Sequence, residues 1–367
     1  MNYFEKGLAI VKRIEDLGFI AYIVGGAVRD YLLKTDVHDI DLTSNIDFET
    51  LDNNFKIVKN GERYESYTII YEDDSFEITH FRCDVSYNDH RHPTIENVDS
   101  FYFDSNRRDF TINALAMNSK CEIIDYHNGI NDLNNKIVRA IGNPFVRFEE
   151  DALRILRALY FVSKLNFSMD NNTLMAIVDK KKLLEFLSEE RIYAYFKKII
   201  YSKYHNGIDL IDKYDLFEYI PIFKKWLKVV DNCCNVDDLE IYYYIKYKEY
   251  PIKNKNNYDL CLIASELIEY NFNNYVLFKY QNYINRLNSV FNHLGYDIIK
   301  INSELSSLKI KSEKELALST LEISKLFNGK MIKFVINEVI KAILDGRIDN
   351  NKVAILTFIE GLDVRIC

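Results

Sequence analysis

Apolar positions along the chain follow one rhythm in its first part and another beyond. Residues 3–17 place Phe4, Leu8, Val11, Ile14 and Leu17 three or four apart, which predicts an amphipathic helix. Short apolar and β-branched runs at 21–24, 39–43, 55–59, 67–71 and 76–81 each predict a strand. The last three lie close together, so they are expected as antiparallel neighbours in a mixed sheet. Residues 82–106 are polar, contain Pro93 and show no period, which predicts a long loop of the kind that carries function. From Pro144 strand signals nearly vanish. Windows 149–163, 172–180, 188–201, 207–214, 239–247, 260–270, 275–294, 331–344 and 353–362 repeat at helical spacing. The expected fold class is α+β, with a boundary near 140–145 and no internal repeat.

The densest chemistry lies in Val24-Gly25-Gly26-Ala27-Val28-Arg29-Asp30 and the following His38-Asp39-Ile40-Asp41. Glycines between a strand and a helix let backbone approach a polyphosphate, and the helix start points amides at it. Arg29, one turn in, adds a forked cation. Asp39 and Asp41, two apart in a strand, project to one face. Two adjacent carboxylates are costly unless a cation sits between them, and hard oxygen donors suit Mg²⁺. A lone Gly-Gly is an ordinary turn and a lone Asp-x-Asp a solvated strand end. Their order within about twenty residues is what raises the signal. Glu77, in Phe76-Glu77-Ile78-Thr79, is a candidate third acid, or else an exposed strand residue.

Two further blocks carry charge beside apolar runs. Arg107-Arg108-Asp109 precedes an apolar helix, with Asp109 or Thr111 as its cap and the arginines either solvated or on a nucleotide. Asp151, Arg154 and Arg157, spaced i, i+3, i+6, form a stripe on one helix whose buried side holds Leu153, Ile155, Leu156 and Leu159. Such a stripe is usually a surface ion-pair ladder. A sharper use exists: cytosine and adenine both offer an amino donor beside a ring-nitrogen acceptor. An Asp acceptor next to an Arg donor therefore fits C and A and mispairs with U and G.

Composition changes this picture little. The net charge of −8 over 367 residues is not that of a general nucleic-acid binder, yet a local basic face suffices for phosphate contact. Eleven of fifteen arginines lie at or before residue 157, which places planar anion recognition early in the chain. Six scattered cysteines without a CxxC pair read as reduced thiols of a cytoplasmic protein. No signal peptide or membrane span is visible. His38-Asp39 has no second His/Asp set, which argues against a metal-dependent phosphohydrolase.

Three blocks in order resemble class II tRNA nucleotidyltransferases (CCA-adding enzymes) and the related bacterial poly(A) polymerases. They are the segment from Gly25 to Asp41, Arg107-Arg108-Asp109-Phe110-Thr111-Ile112-Asn113-Ala114, and Arg147-Phe148-Glu149-Glu150-Asp151-Ala152-Leu153-Arg154-Ile155-Leu156-Arg157. Asp345-Gly346-Arg347-Ile348-Asp349-Asn350 is a weaker echo near the end. The resemblance implies a nucleotidyltransferase head over residues 1–143 with a mixed or antiparallel sheet. It implies an all-α continuation: a neck with a nucleotide-selecting helix over 144–205, and a tRNA-binding body and tail over 206–367. The implied activity is template-independent addition of C, C and A to the tRNA 3′ end from CTP and ATP, with pyrophosphate released and two Mg²⁺ in the active complex. Asp39 and Asp41 would then be the catalytic metal ligands. Gly25, Gly26, Arg29, Arg108, Asp151, Arg154 and Arg157 would bind the nucleotide, with Asp151 and Arg154 as the amino-acid template.

A-adding, CC-adding and poly(A)-adding relatives share these motifs, and a catalytically inactive RNA-binding module is the alternative of another class. Residues 82–106 keep the length that CC-adding relatives lack, which favours an enzyme able to add the final A. No membrane or protein partner is indicated. The chain departs from the family at Tyr160, where a basic residue is common, and at Tyr195, where a glutamate is frequent. It also lacks a second glycine within residues 61–67.

Overall fold

The computed structural model describes residues 1–61, 66–87, 93–230, 236–249 and 255–362, so most of the 61–67 segment lies outside the described residues. Contacts divide the chain into two units, Met1–Phe223 and Lys224–Cys367.

The first unit opens with α1 (Tyr3–Asp16), started by a capping box between Asn2 and Glu5 and anchored by buried Ile10, Val11 and Ile14. β1 (Ala21–Val24) turns at Gly25 into α2 (Gly26–Leu32). β2 (Asp41–Ser44), α3 (Phe48–Asn54), β3 (Lys56–Gly61), β4 (Ser66–Tyr71) and β5 (Asp74–His80) follow. The chain then forms β6 (Arg82–Tyr87), β7 (Pro93–Asn97), α4 (Phe101–Asn106), β8 (Ala116–Met117) and β9 (Ile123–Ile124).

One seven-stranded sheet has the order β3-β4-β5-β2-β1-β8-β9. β2 and β5 are parallel and all its other pairs antiparallel, so the mixed sheet and the antiparallel run β3-β4-β5 expected from the sequence are both present. Insertion of β2 between β1 and β5 sets Asp41 in register with Val24 on one side and Glu77 on the other. Val24, Phe81, Phe101 and Ala116 form a buried cluster joining the sheet to α4.

Beyond the sheet come α5 (Gly129–Asn134), β10 (Ile137–Val138), α6 (Pro144–Glu150), α7 (Leu153–Leu165), β11 (Ser168–Met169), α8 (Asn171–Lys180), α9 (Glu189–Ile200) and α10 (Asn206–Lys213). Gly207 lets α10 approach α7: its amide donates to Ser163 Oγ at 2.9 Å, and a Cβ there would collide with the Leu159 carbonyl.

Three local expectations need correction. The described part of residues 82–106 is not a structureless loop: β6 pairs antiparallel with β7, and α4 follows, capped by Ser100 through the Tyr102 amide. The polar–apolar alternation of Arg82-Cys83-Asp84-Val85 is a strand signal that the polar surroundings obscured. The helix expected after Arg107-Arg108-Asp109 is a single 3₁₀ turn, Thr111–Asn113, leading into β8. The helix expected over 149–163 is broken at Asp151, whose backbone is extended and whose carboxylate accepts the Leu153 amide at 3.0 Å. Asp, a helix-starting residue, ends one helix there and begins the next.

The second unit is helical: most of α11 (Pro221–Val230), then α12 (Val236–Tyr247), α13 (Lys255–Glu269), α14 (Asn274–His293), α15 (Ile298–Ser306), α16 (Thr320–Ser324), α17 (Lys330–Leu344) and α18 (Lys352–Glu360). Tyr243 is buried and stacks on Trp226 with ring centroids 4.9 Å apart, so this tyrosine of the aromatic run is core. Among the described residues no helix is long and apolar enough to cross a membrane.

Candidate active site

A cavity of about 940 Å³ opens in the first unit. One side is the strand–turn–helix. Gly25 has φ +71°, its amide bonds the Leu115 carbonyl at 3.1 Å, and a Cβ on it would lie 3.4 Å from Arg108 Nη1. The positive φ and the close guanidinium both favour glycine. Arg29, the expected cationic fork, is buried and largely committed. Its Nε donates to Asp30 Oδ1 at 2.8 Å, its Nη1 to Asn113 Oδ1 at 2.6 Å, and its guanidinium sits 5.2 Å from the Phe161 ring centroid.

Asp39 and Asp41 line the same cavity, Asp39 just ahead of β2 and Asp41 as its first residue. Both are exposed, and neither has an ion-pair partner among the described residues. Loss of solvation, the neighbouring Glu77 and Asp39 push the Asp41 carboxyl above the ordinary carboxylate value, against a smaller opposing pull from Arg108. A divalent cation would relieve this like-charge crowding, so the donor set fits Mg²⁺. Glu77 stands in register with Asp41, but its carboxylate accepts from Ser66 Oγ at 2.7 Å and it does not line the cavity. Among the described residues no three metal-ligating side chains converge.

The opposite side is cationic and cross-braced. Asp104, fully buried, accepts from both Arg107 (2.7 Å) and Arg108 (2.9 Å), one arginine per carboxylate oxygen. Burial alone would raise the Asp104 carboxyl, yet Arg108 and Arg107 hold it below the ordinary value. The two arginines are thus neither solvated nor free. Asp109 does not cap a helix; it accepts from Arg157 Nε at 2.6 Å and from Asn113 and the Phe110 amide. Burial raises its carboxyl, and Arg157 with these hydrogen bonds more than reverses the effect.

Asp151, Arg154 and Arg157 all line the cavity, though only the arginines belong to α7. Arg154 is buried and donates to the carbonyls of Arg147 and Arg107 and to Glu150 Oε2. Arg157 also donates to Tyr195 OH at 3.0 Å, so in this state it braces α7 against α9 and the Asp109 turn. The cavity therefore gathers every site residue expected from the sequence except Glu77. Sequence reasoning missed Asp104, although its i, i+3 and i+4 spacing to Arg107 and Arg108 was available. It also missed Lys164, further along α7 than the Arg154 and Arg157 motif, and Arg191 and Lys198 on α9, all of which line the cavity.

Residues 21–139 match the model of the poly A polymerase head domain, and residues 166–227 that of a probable RNA- and SrmB-binding site of polymerase A. The chain is 30% identical to a CCA-adding enzyme of Staphylococcus epidermidis, over 98% of each chain. It is 34% identical to one from Ligilactobacillus salivarius over 95% of this chain and 94% of that one. The structure aligns over 98% of its length with 97% of the crystal structure of a Bacillus stearothermophilus CCA-adding enzyme in complex with CTP, at a TM-score of 0.75 and 26% identity.

Proposed function

The chain belongs to the family of CCA-adding enzymes, and on that premise we propose that it adds C, C and A to the 3′ end of tRNA from CTP and ATP, releasing pyrophosphate. The observation that carries this reading is one cavity in which Asp39 and Asp41, without an ion-pair partner among the described residues, share the lining with a braced arginine wall. Asp39 and Asp41 hold Mg²⁺, two ions in the active complex. When bound, Mg²⁺ supplies positive charge at the reacting phosphate and makes the 3′-hydroxyl easier to deprotonate. Glu77 contributes field, not ligation.

The turn at Gly25 and Gly26 admits the phosphates, with Arg29 stiffening the helix start and Arg108 reaching the nucleotide from beside Gly25. Asp151 accepts from the amino group shared by C and A, and Arg154 donates to the adjacent ring nitrogen. Arg157 keeps α7 in place through Asp109 and Tyr195. Residues 1–143 act as the head, 144–205 as the nucleotide-selecting neck and 206–367 as the tRNA-binding body and tail. The scattered cysteines, of which Cys83, Cys121 and Cys261 are free thiols, suit work in the cytoplasm.

The test supplies tRNAs ending at the discriminator base, at C and at CC with labelled CTP or ATP. CTP use on the first two and ATP use only on the third is the expected result. Long A tails would make the protein a poly(A) polymerase, use of one nucleotide alone a CC- or A-adding enzyme, and no incorporation an RNA-binding module.

A further inference from the structure

At the end of the cavity beside Gly25 and Gly26, Arg29 is already bonded to Asp30 and Asn113, and Arg108 presents Nη1 while its other nitrogens hold Asp104. Two ammonium groups line the same cavity. Lys164, in the last turn of α7, has only a loose contact, 3.8 Å, with Asp30 Oδ2. Burial first, then Arg29 and Lys198, hold its ammonium below the ordinary lysine value, with Asp30 opposing. Lys198, from α9, places its Nζ 4.9 Å from the Tyr195 ring centroid and 5.8 Å from that of Tyr160, and makes no ion pair among the described residues. Tyr160 and Tyr195 pack edge to face, ring centroids 6.2 Å apart, and neither brings charge. The corner is an aromatic shelf carrying two cations that share one loose ion pair among the described residues, which attracts an anion of high charge and spread-out oxygens.

We propose that Lys164 and Lys198 clamp the polyphosphate tail of the incoming nucleotide, and then the leaving pyrophosphate, at the corner where Tyr160 offers no charge. The inference rests on the nucleotidyl-transfer reading above. The tail is favoured over an RNA backbone phosphate because Lys164 stands beside Asp30, which with Arg29 belongs to the helix that begins at the glycine turn. CTP and ATP share this tail, so the clamp serves both and selects neither.

The test titrates inorganic pyrophosphate with Mg²⁺ into the full chain by calorimetry and measures KM for CTP and ATP. The double variant Lys164→Ala/Lys198→Ala is expected to weaken pyrophosphate on the order of tenfold and to raise both KM values in step, at unchanged tRNA affinity. Lys198→Arg should restore binding and Lys198→Gln should not, which separates charge from packing. Unchanged pyrophosphate affinity overturns the clamp, as does a loss confined to tRNA affinity, which would assign the lysines to the RNA backbone. A wild-type chain that binds pyrophosphate through these lysines but transfers no nucleotide would sink the transfer reading and leave the clamp standing.

Discussion

The two walls of the cavity use the same residue types in opposite ways. On the sheet wall Asp39 and Asp41 have no ion-pair partner among the described residues, and loss of solvation, with the charges of Glu77 and Asp39, makes the Asp41 carboxyl harder to ionise. On the helix wall Asp104 and Asp109 are buried, yet two arginines favour the ionised form of Asp104, and Arg157 with Asn113 and the Phe110 amide that of Asp109. A buried pair is self-compensating, and removing one partner strands the other. A like-charge pair lacks its counter-ion. The contrast separates a wall that the fold needs from a wall that the fold merely tolerates for the sake of a ligand.

The largest expected effect falls on the tolerated wall. Asp39→Asn or Asp41→Asn should lower transfer of both C and A by about 10²–10³-fold or more while tRNA affinity stays near wild type. Single-turnover incorporation of labelled CTP and ATP reads this, and activity within tenfold of wild type in both variants would remove the metal assignment.

A smaller effect is expected where the walls meet the base. Asp151→Ala and Arg154→Ala each remove one partner of the template, about 1–3 kcal/mol of selectivity for C and A over U and G. Because Arg154 also donates to Glu150 and two carbonyls, Arg154→Ala should lose thermal stability as well. An unchanged four-nucleotide preference in both variants would return the stripe to a purely structural role.

The smallest effect sharpens the electrostatics of Asp41. With its pKa raised, Asp41 stays protonated to a higher pH than an ordinary carboxyl, so protons compete with Mg²⁺ on the acid side. The acid limb of the rate profile should move to lower pH at saturating Mg²⁺, and also in Glu77→Gln at low Mg²⁺. A limb that ignores both changes would show that Asp41 does not set it.

Much of the fold was legible because β3 to β5 carry short β-branched and aromatic runs, with β5 alternating buried and exposed residues, and α8, α9, α14 and α17 hold a helical period. The site was legible where chemistry is local in sequence: Gly25-Gly26 at a strand end, Asp39 two residues before Asp41. It was not legible where roles depend on long-range pairing. Arg29, Arg108 and Arg157 read as free nucleotide contacts, but their partners Asn113, Asp104 and Asp109 become visible only once the sheet and α7 are assembled. Asp151 read as a helical position because helical spacing continues through it, whereas its side chain satisfies the next helix's amide. Lys198 carries no motif and reaches the site only through the packing of α9 on α7.

The most direct measurement of the difference between the walls is thermal unfolding of Asp41→Asn beside Asp104→Asn, two changes of equal chemistry. The account predicts that Asp41→Asn melts at or slightly above wild type, since it relieves like-charge crowding. Asp104→Asn should melt about 5–10 °C lower, because it strands two arginines that a fully buried carboxylate had held. The deficit should shrink as pH falls through the lowered Asp104 value, where wild type also loses the ionised carboxylate and the stability it contributes at neutral pH. Equal melting of the two variants, or a larger loss in Asp41→Asn, would contradict the assignment of scaffold to one wall and ligand binding to the other.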